Sequence, residues 1–327
     1  MAKQLVKELE NGDAVSAHFQ VNNSQLYEFR NKPGRYAILQ LSDKSGSVRG
    51  VCWDNGEEIH QNTPVDSVVH VEGRVESFNA QLQVIIRSVS PARDDEYDSS
   101  DFLPTTTLDV DDMFDFMTGE IEKIENPFLK NLLKSFFGDE EFVQKFKSVP
   151  AAKTIHHNYI GGLLEHTSNC LRLGLTLCEI YPRLRRDLLL ASIMLHDAGK
   201  TIELSFETTI NYTDKGRLLG HIVLGERMIY DKIKTIEGFP ESLANELLHL
   251  IVSHHGENNT GSPKRPKTPE ACALHYLENL DAQTKRFFQL IDSSPAQHAR
   301  WTHYDRLLDR YLFKGYDDIG DDAPEQD

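Results

Sequence analysis

His196 and Asp197 stand side by side at the end of an apolar run, Arg186–Lys200, that reads RDLLLASIMLHDAGK. Imidazole nitrogen and carboxylate oxygen are the donors that borderline and hard divalent cations take. Both can reach one ion from the end of a buried helix, and the second oxygen of Asp197 can bridge to another. A lone His-Asp pair is common on protein surfaces, so the inference depends on what else converges on it. His166 lies on an amphipathic helix predicted over 163–179, and His221 near the start of one over 217–233, after a turn at Asp214–Gly216. His254 and His255 end a helix over 241–254, and Asp281 lies on a long helix over 269–291. One histidine at such a place is more often a satisfied core residue. Five segments in this order are not explained that way.

Those helices belong to a region that turns helical from Leu108. Asp109–Glu125 comes first, then Asn126–Phe137, opened by Asn126-Pro127, a capping residue followed by Pro at the first helical position. Asp139–Ser148 is a third, short helix, and no strand is expected beyond it. Upstream, residues 16–90 read as short strands. Gly34–Leu41 alternates polar and apolar, Asp43–Gly46 is a turn, and Val48–Trp53 is its partner strand. Val68–Glu76 and Gln81–Val89 form a second hairpin around Phe78-Asn79-Ala80. About five short strands in so compact a stretch suit a small barrel.

With 35 basic and 51 acidic residues the net charge is −16, which taken whole argues against a nucleic-acid partner. Its distribution reverses that reading. Asp94–Asp115 holds nine acidic residues and Asp317–Asp327 six, neither with a Lys or Arg, and together they supply 15 of the 16 excess negative charges. The rest is close to neutral and leaves room for local basic patches. Cys52, Cys170, Cys178 and Cys272 form no CxxC pair and read as free thiols in a reducing compartment. The charged start, MAKQLVKELE, has no apolar h-region, and no apolar run approaches about 18 residues. A cytoplasmic protein without a membrane span is the expectation.

The order His … His-Asp … His … His-His … Asp resembles the HD-domain superfamily of metal-dependent phosphohydrolases. His166, His196, Asp197 and Asp281 match its four-residue motif, and His221, His254 and His255 match the extra ligands of its two-metal members. The strings RYAILQLSDKSGSVRGVCWD and VDSVVHVEGRVESFNAQLQVIIRSVSPA resemble an OB-fold of the nucleic-acid-binding kind. The combination, with IHHNYIGGLLEHT, LHDAGK, GHIVLGERMI, SHHGENNTGSPKRPKTPEACALHYLENLDAQ and WTHYDRLLDRYLFKG, is similar to the OB–HD 3′–5′ exoribonucleases of bacteria, the YhaM family. The expected architecture is multidomain: an all-β OB barrel over 1–93, an acidic linker over 94–107, an all-α HD domain over 108–316, and an acidic, disordered tail over 317–327.

The resemblance implies hydrolysis of single-stranded RNA, with single-stranded DNA as an alternative, to nucleoside monophosphates. His166, His196, Asp197 and Asp281 are assigned to a first ion, and His221, His254 and His255 to a second, with Asp197 between them. Five histidines and two carboxylates suit Mn²⁺ or Fe²⁺ better than Mg²⁺, and the resemblance favours Mn²⁺. Lys200 either holds the scissile phosphate and serves the leaving group, or interacts with the helix dipole. Glu165 either orients a ligand or faces solvent. Lys264, Arg265 and Lys267 form a basic strip for the RNA backbone, and His156 and His157 are further phosphate candidates. On the barrel, Tyr36, Trp53 and Phe78 are candidates for base stacking, and Arg35, Arg49 and Arg74 for phosphate. His249, His275, His298 and His303 receive structural readings. A homo-oligomer is compatible with the sequence. Two other functions remain open: an HD phosphohydrolase of a nucleotide or cyclic dinucleotide, and a strand-binding protein whose HD domain is silent.

Overall fold

A computed structural model describes residues 4–315, apart from 30, 79–80, 94, 99–100, 154–156, 207–208, 259–260 and 293–299. The acidic tail, His156 and His298 lie outside the described residues. The chain forms two units, one of residues up to 107 with 204–212, the other of 108–203 and from 213 onward.

The first unit is a closed barrel of five strands, β1 (Ala14–Glu28), β2 (Arg35–Asp43), β3 (Gly46–Cys52), β4 (Val68–Phe78) and β5 (Gln81–Pro91), in the order β1-β2-β3-β5-β4. β1 is long enough to pair with β2 at one end and β4 at the other. A bulge at Val21–Asn23 marks the change and bends the strand. Parallel pairing of β3 with β5 closes the barrel, which leaves no open strand edge. Alternation places Phe19, Leu39, Leu41, Val71 and Val84 inside. The β2–β3 turn is fixed by Asp43, whose Oδ1 accepts the Ser45 N–H at 2.7 Å. A short helix, α1 (Gly56–Asn62), follows β3. The acidic stretch 94–107 is in part packed: Phe102 and Leu103 are buried, and the Asp101 carbonyl and carboxylate accept the Lys44 N–H and ammonium at 2.7 and 3.1 Å.

The second unit contains α2 (Val110–Glu122), α3 (Pro127–Phe137), α4 (Glu140–Ser148), α5 (Gly162–Ile180), α6 (Arg186–Leu195), α7 (Lys200–Glu203), α8 (Asp214–Lys234), α9 (Glu241–Ser253) and α10 (Pro269–Asp292). The first three are capped by Asp109, Asn126 and Asp139, whose carboxylate or amide oxygens accept N–H groups of the opening turn. α6 is buried without interruption from Leu188 to Leu195, as an all-round apolar helix must be.

Two expectations need correction. Asp214–Gly216 is the first turn of α8, capped by the Thr213 hydroxyl, and the chain bends later, at Gly220. Strands also occur beyond residue 108: β6 (Leu204–Ser205) and β7 (Asn211–Tyr212) pair antiparallel. Two-residue strands carry no alternation for a sequence pattern to reveal.

Candidate metal centre

The site is assembled at helix ends. His196 follows α6 and His254 follows α9, where the last carbonyls of a helix lack intrahelical partners. Each histidine satisfies one of them: His196 Nδ1 donates to the Ile193 carbonyl at 2.8 Å, and His254 Nδ1 to Ile251 at 2.6 Å. A carbonyl can only accept, so the tautomer is fixed and Nε2 of each ring is left with a lone pair. His221 reaches the same state by another route. Gly220, at φ +72°, breaks the helical path of α8. The Glu203 carboxylate then receives both the His221 main-chain N–H at 2.9 Å and Nδ1 at 3.2 Å. The backbones meet closely here, since a Cβ on Gly199 would lie 2.0 Å from the His221 carbonyl oxygen.

Asp197 is the hub. Its Oδ2 lies 2.7 Å from Lys200 Nζ, 3.3 Å from His196 Nε2 and 3.8 Å from His166 Nε2. Its Oδ1 lies 3.5 Å from His221 Nε2 and 3.7 Å from His254 Nε2. His255 joins His221 and His254, with ligand atoms within 4.8 Å of one another, and His166, His196 and Asp197 form a second such set. Asp197 Oδ1, His221 Nε2 and His254 Nε2 are buried without a hydrogen-bond partner. Three orphaned electron-pair donors around one point are costly unless something cationic sits among them. The donor set therefore fits divalent metal.

Asp281 meets the centre through His166: its Oδ2 accepts from His166 Nδ1 at 2.7 Å and His157 Nε2 at 2.8 Å, and its Oδ1 from the Asn169 amide at 2.9 Å. It forms a third donor set with His157 and His166. An imidazole has nitrogens on two edges. Asp281 takes one edge of His166, and the other faces His196 Nε2 at 3.3 Å. A carboxylate on the far nitrogen of a ligating histidine is a common way to fix its orientation.

Charge follows burial and pairing. Burial alone would raise Asp197, but Lys200 and then His196 outweigh it and hold the carboxyl well below its usual range. Burial would lower Lys200, and Asp197 more than reverses that, so the ammonium stays charged. Burial drives His254 well down, with His255 and His196 adding to the effect. Glu278, one turn before Asp281, is pushed up to about 7 by burial and then by Asp197.

His157 is fully buried between Tyr159 and Asp281, so it is no surface contact for a strand. Glu165 does not face solvent: it is buried and accepts from Lys285 Nζ at 2.9 Å. His275 Nδ1 donates to the His254 carbonyl at 2.9 Å, in keeping with a supporting role. His249 Nε2 accepts the Lys267 main-chain N–H at 2.9 Å and so ties down the basic loop. Lys264, Arg265 and Lys267 are exposed, with Arg265 paired to Glu257 at 2.6 Å.

On the barrel, Tyr36 and Trp53 belong to a ring set that also contains Tyr27 and Phe29, joined by centroid distances of 5.0–6.3 Å. Lys32 Nζ lies 4.0 Å from the Phe29 ring centre. Trp53 is 43% exposed. Phe78 is exposed but makes none of these ring contacts. Arg74 and Arg49 are exposed; Arg74 is turned back to the Gly12 carbonyl at 3.3 Å, and Arg35 pairs with Glu28 and Glu57. Sequence reasoning missed Glu203, Asn169, Tyr27 and Phe29. Tyr27 stands opposite Tyr36 across the β1–β2 hairpin, a signal that register would have supplied; Phe29 lies one residue beyond the end of β1.

Comparison with known proteins agrees with this division. Residues 163–283 match the HD domain, and residues 20–92 match the OB-fold nucleic acid binding domain tRNA_anti-codon. A protein of Geobacillus sp. (strain WCH70) named 3′-5′ exoribonuclease YhaM is 37% identical over 251 residues, 76% of each chain. Proteins of the same name are 33% identical in Bacillus pumilus, over 83% of this chain and 86% of that one, and 34% identical in Bacillus subtilis, over 76% and 78%.

Proposed function

The chain belongs to the YhaM family of 3′–5′ exoribonucleases, and on that premise we propose that it removes nucleoside monophosphates from the 3′ end of single-stranded RNA with two Mn²⁺ ions. The observation that carries this reading is the trio of orphaned atoms, Asp197 Oδ1, His221 Nε2 and His254 Nε2, at the meeting point of the donor sets. His166, His196 and Asp197 would hold one ion, and His221, His254 and His255 the other, with Asp197 offering an oxygen to each. When bound, such ions neutralise phosphodiester charge and activate the attacking water.

The chain's own groups do the remainder. Ile193, Ile251 and Glu203 lock the ring tautomers, and Asp281 with Asn169 orients His166. Lys200 keeps a charged ammonium beside Asp197, where it can hold a phosphate oxygen or give a proton to the departing ribose oxygen. The Tyr36–Trp53 ring set offers π-faces to bases, and the exposed loop Lys264–Lys267 offers cations to phosphates.

The test is a gel assay on 5′-labelled single-stranded RNA. Progressive shortening in Mn²⁺, absent in EDTA and with Asp197→Ala, supports the reading. An intact strand with metal-loaded wild-type protein would overturn it. Metal content by mass spectrometry, with Fe²⁺ and Mg²⁺ compared for activity, tests ion number and identity.

A further inference from the structure

The segment Arg300–Gly315, WTHYDRLLDRYLFK within it, has no part in the metal centre, yet it is built. It is a tight antiparallel ribbon. Thr302 N–H donates to the Leu312 carbonyl at 2.9 Å, Lys314 N–H to Arg300 at 2.8 Å, and Asp305 and Arg310 exchange main-chain bonds at 3.0 and 3.3 Å. Thr302 and Leu312 are buried and seat it. An ion pair, Arg286 Nη2 to Asp305 Oδ1 at 2.7 Å, with Arg286 buried and Asp305 partly so, fastens it to α10. Arg286 is five residues beyond Asp281, about 7.5 Å along the axis at the usual rise per residue. The ribbon thus hangs from the helix that carries a residue of the metal centre.

Its outer face is aromatic. Tyr311 and Phe313 flank buried Leu312, so they share the opposite, solvent side. Trp301 pairs with Phe313 at 5.1 Å and Tyr304 with Tyr311 at 5.2 Å between ring centres. The pairing Trp301↔Phe313 and Asp305↔Arg310 differs in register by one residue. That extra residue lets Trp301 and Tyr304, three apart, face the same way. Trp301 is 56% and Tyr311 58% exposed, a large apolar cost for a ribbon already seated by Leu312 and Asp305.

Among the described residues the charge beside the rings is positive. The two carboxylates within the ribbon are engaged internally: Asp305 accepts from Arg286 and from the Leu307 and Leu308 N–H groups, and Asp309 from the Tyr304 hydroxyl. Arg306 and Arg310 are exposed and pair with no carboxylate among the described residues. Arg310 Nε donates to the Leu308 carbonyl at 2.8 Å, which leaves its charge unneutralised. Exposed rings interleaved with guanidinium groups that pair with no carboxylate fit stacked bases and a phosphate backbone.

We propose that this ribbon is a second single-strand RNA contact, on the helical unit itself, whose rings stack bases while Arg306 and Arg310 hold phosphates. The inference rests on the nuclease reading above. The experiment uses the full chain and fluorescein-labelled single-stranded RNA of about 20 nucleotides, by anisotropy in EDTA so that no hydrolysis occurs. Tyr311→Ala with Arg306→Ala is expected to weaken binding roughly tenfold, with a shallower dependence on salt, while hydrolysis of bis(p-nitrophenyl) phosphate in Mn²⁺ stays at the wild-type rate. The single variant Arg306→Ala, at an exposed position, checks the result without risk to the fold. Unchanged RNA affinity in both variants overturns the proposal, as does a change of sedimenting mass without a change in affinity, which would assign the face to a second copy. A wild-type chain that neither binds nor cuts RNA overturns the nuclease reading along with it, whereas a wild-type chain that cuts RNA while the variants bind normally overturns the ribbon alone.

Discussion

The metal centre and the barrel's ring set are built on opposite principles. At the centre, His166, His196 and His254 are fully buried and Asp197 nearly so, and each side chain is held by a second group. His196 and His254 lean on helix-end carbonyls, His221 on Glu203, and His166 on Asp281. On the barrel, Tyr27, Phe29, Tyr36 and Trp53 lean on one another through ring contacts and remain partly in water. Metal ligands must be fixed to fractions of an ångström, so they are braced inside a core. Stacking tolerates every base and wants an accessible π-face, so its residues stay outside. The difference teaches where mutation will be absolute and where it will be graded.

The sharpest way to break the contrast is Asp197→Ala. Hydrolysis should fall by roughly a thousandfold or more, since the loss touches both donor sets. RNA binding in EDTA should change by less than about twofold. If binding collapsed as well, the two sites would not be separable functions. Next comes Glu203→Gln, which removes the carboxylate behind His221 but keeps the shape. Metal affinity or rate should drop about ten- to a hundredfold, read by metal titration alongside turnover. A wild-type value would mean that His221 needs no brace.

Graded effects belong to the barrel. Tyr36→Ala with Trp53→Ala should weaken single-strand affinity by roughly tenfold and leave bis(p-nitrophenyl) phosphate hydrolysis unchanged. Phe78→Ala, outside the ring set, should do less, and an equal loss would redraw the binding face. The smallest effect is a pH dependence. Glu278 titrates near 7 in the fold against an ordinary value of 4.5. The folded chain therefore keeps a proton that the unfolded chain releases, so this group's contribution is fully present below about 4.5 and is lost as pH rises through about 7. Glu278→Gln should flatten that part of the Tm–pH curve of the metal-free protein. Parallel wild-type and variant curves would contradict the assignment.

Much of this was legible beforehand because burial leaves a pattern. Histidines set into apolar helices at His166, His196 and His254 are conspicuous, and Asn126-Pro127 and the alternation of Gly34–Leu41 mark a cap and a strand in a few neighbouring residues. Exposed rings leave no such mark: Tyr36 and Trp53 were visible as types, whereas Tyr27 needed the β1–β2 register, and Phe29 the path of the chain beyond β1, to become their neighbours. His157 shows the limit from the other side. Its position suggested a phosphate contact, and only packing revealed that its ring is enclosed by Tyr159 and Asp281.

By itself, then, the sequence determined the donor types, their order along the chain, and the two kinds of unit that carry them, because periodicity and capping are written in residues a few positions apart. Tertiary structure alone decided which edge of each imidazole faces the centre, that Asp281 braces His166 across 115 positions, and that Glu203 rather than a nearer acid supports His221 across 18. The reason is physical. Local pattern fixes which face of a helix is buried, but the partner that satisfies a buried nitrogen is whichever group the packing of other helices brings within hydrogen-bond reach.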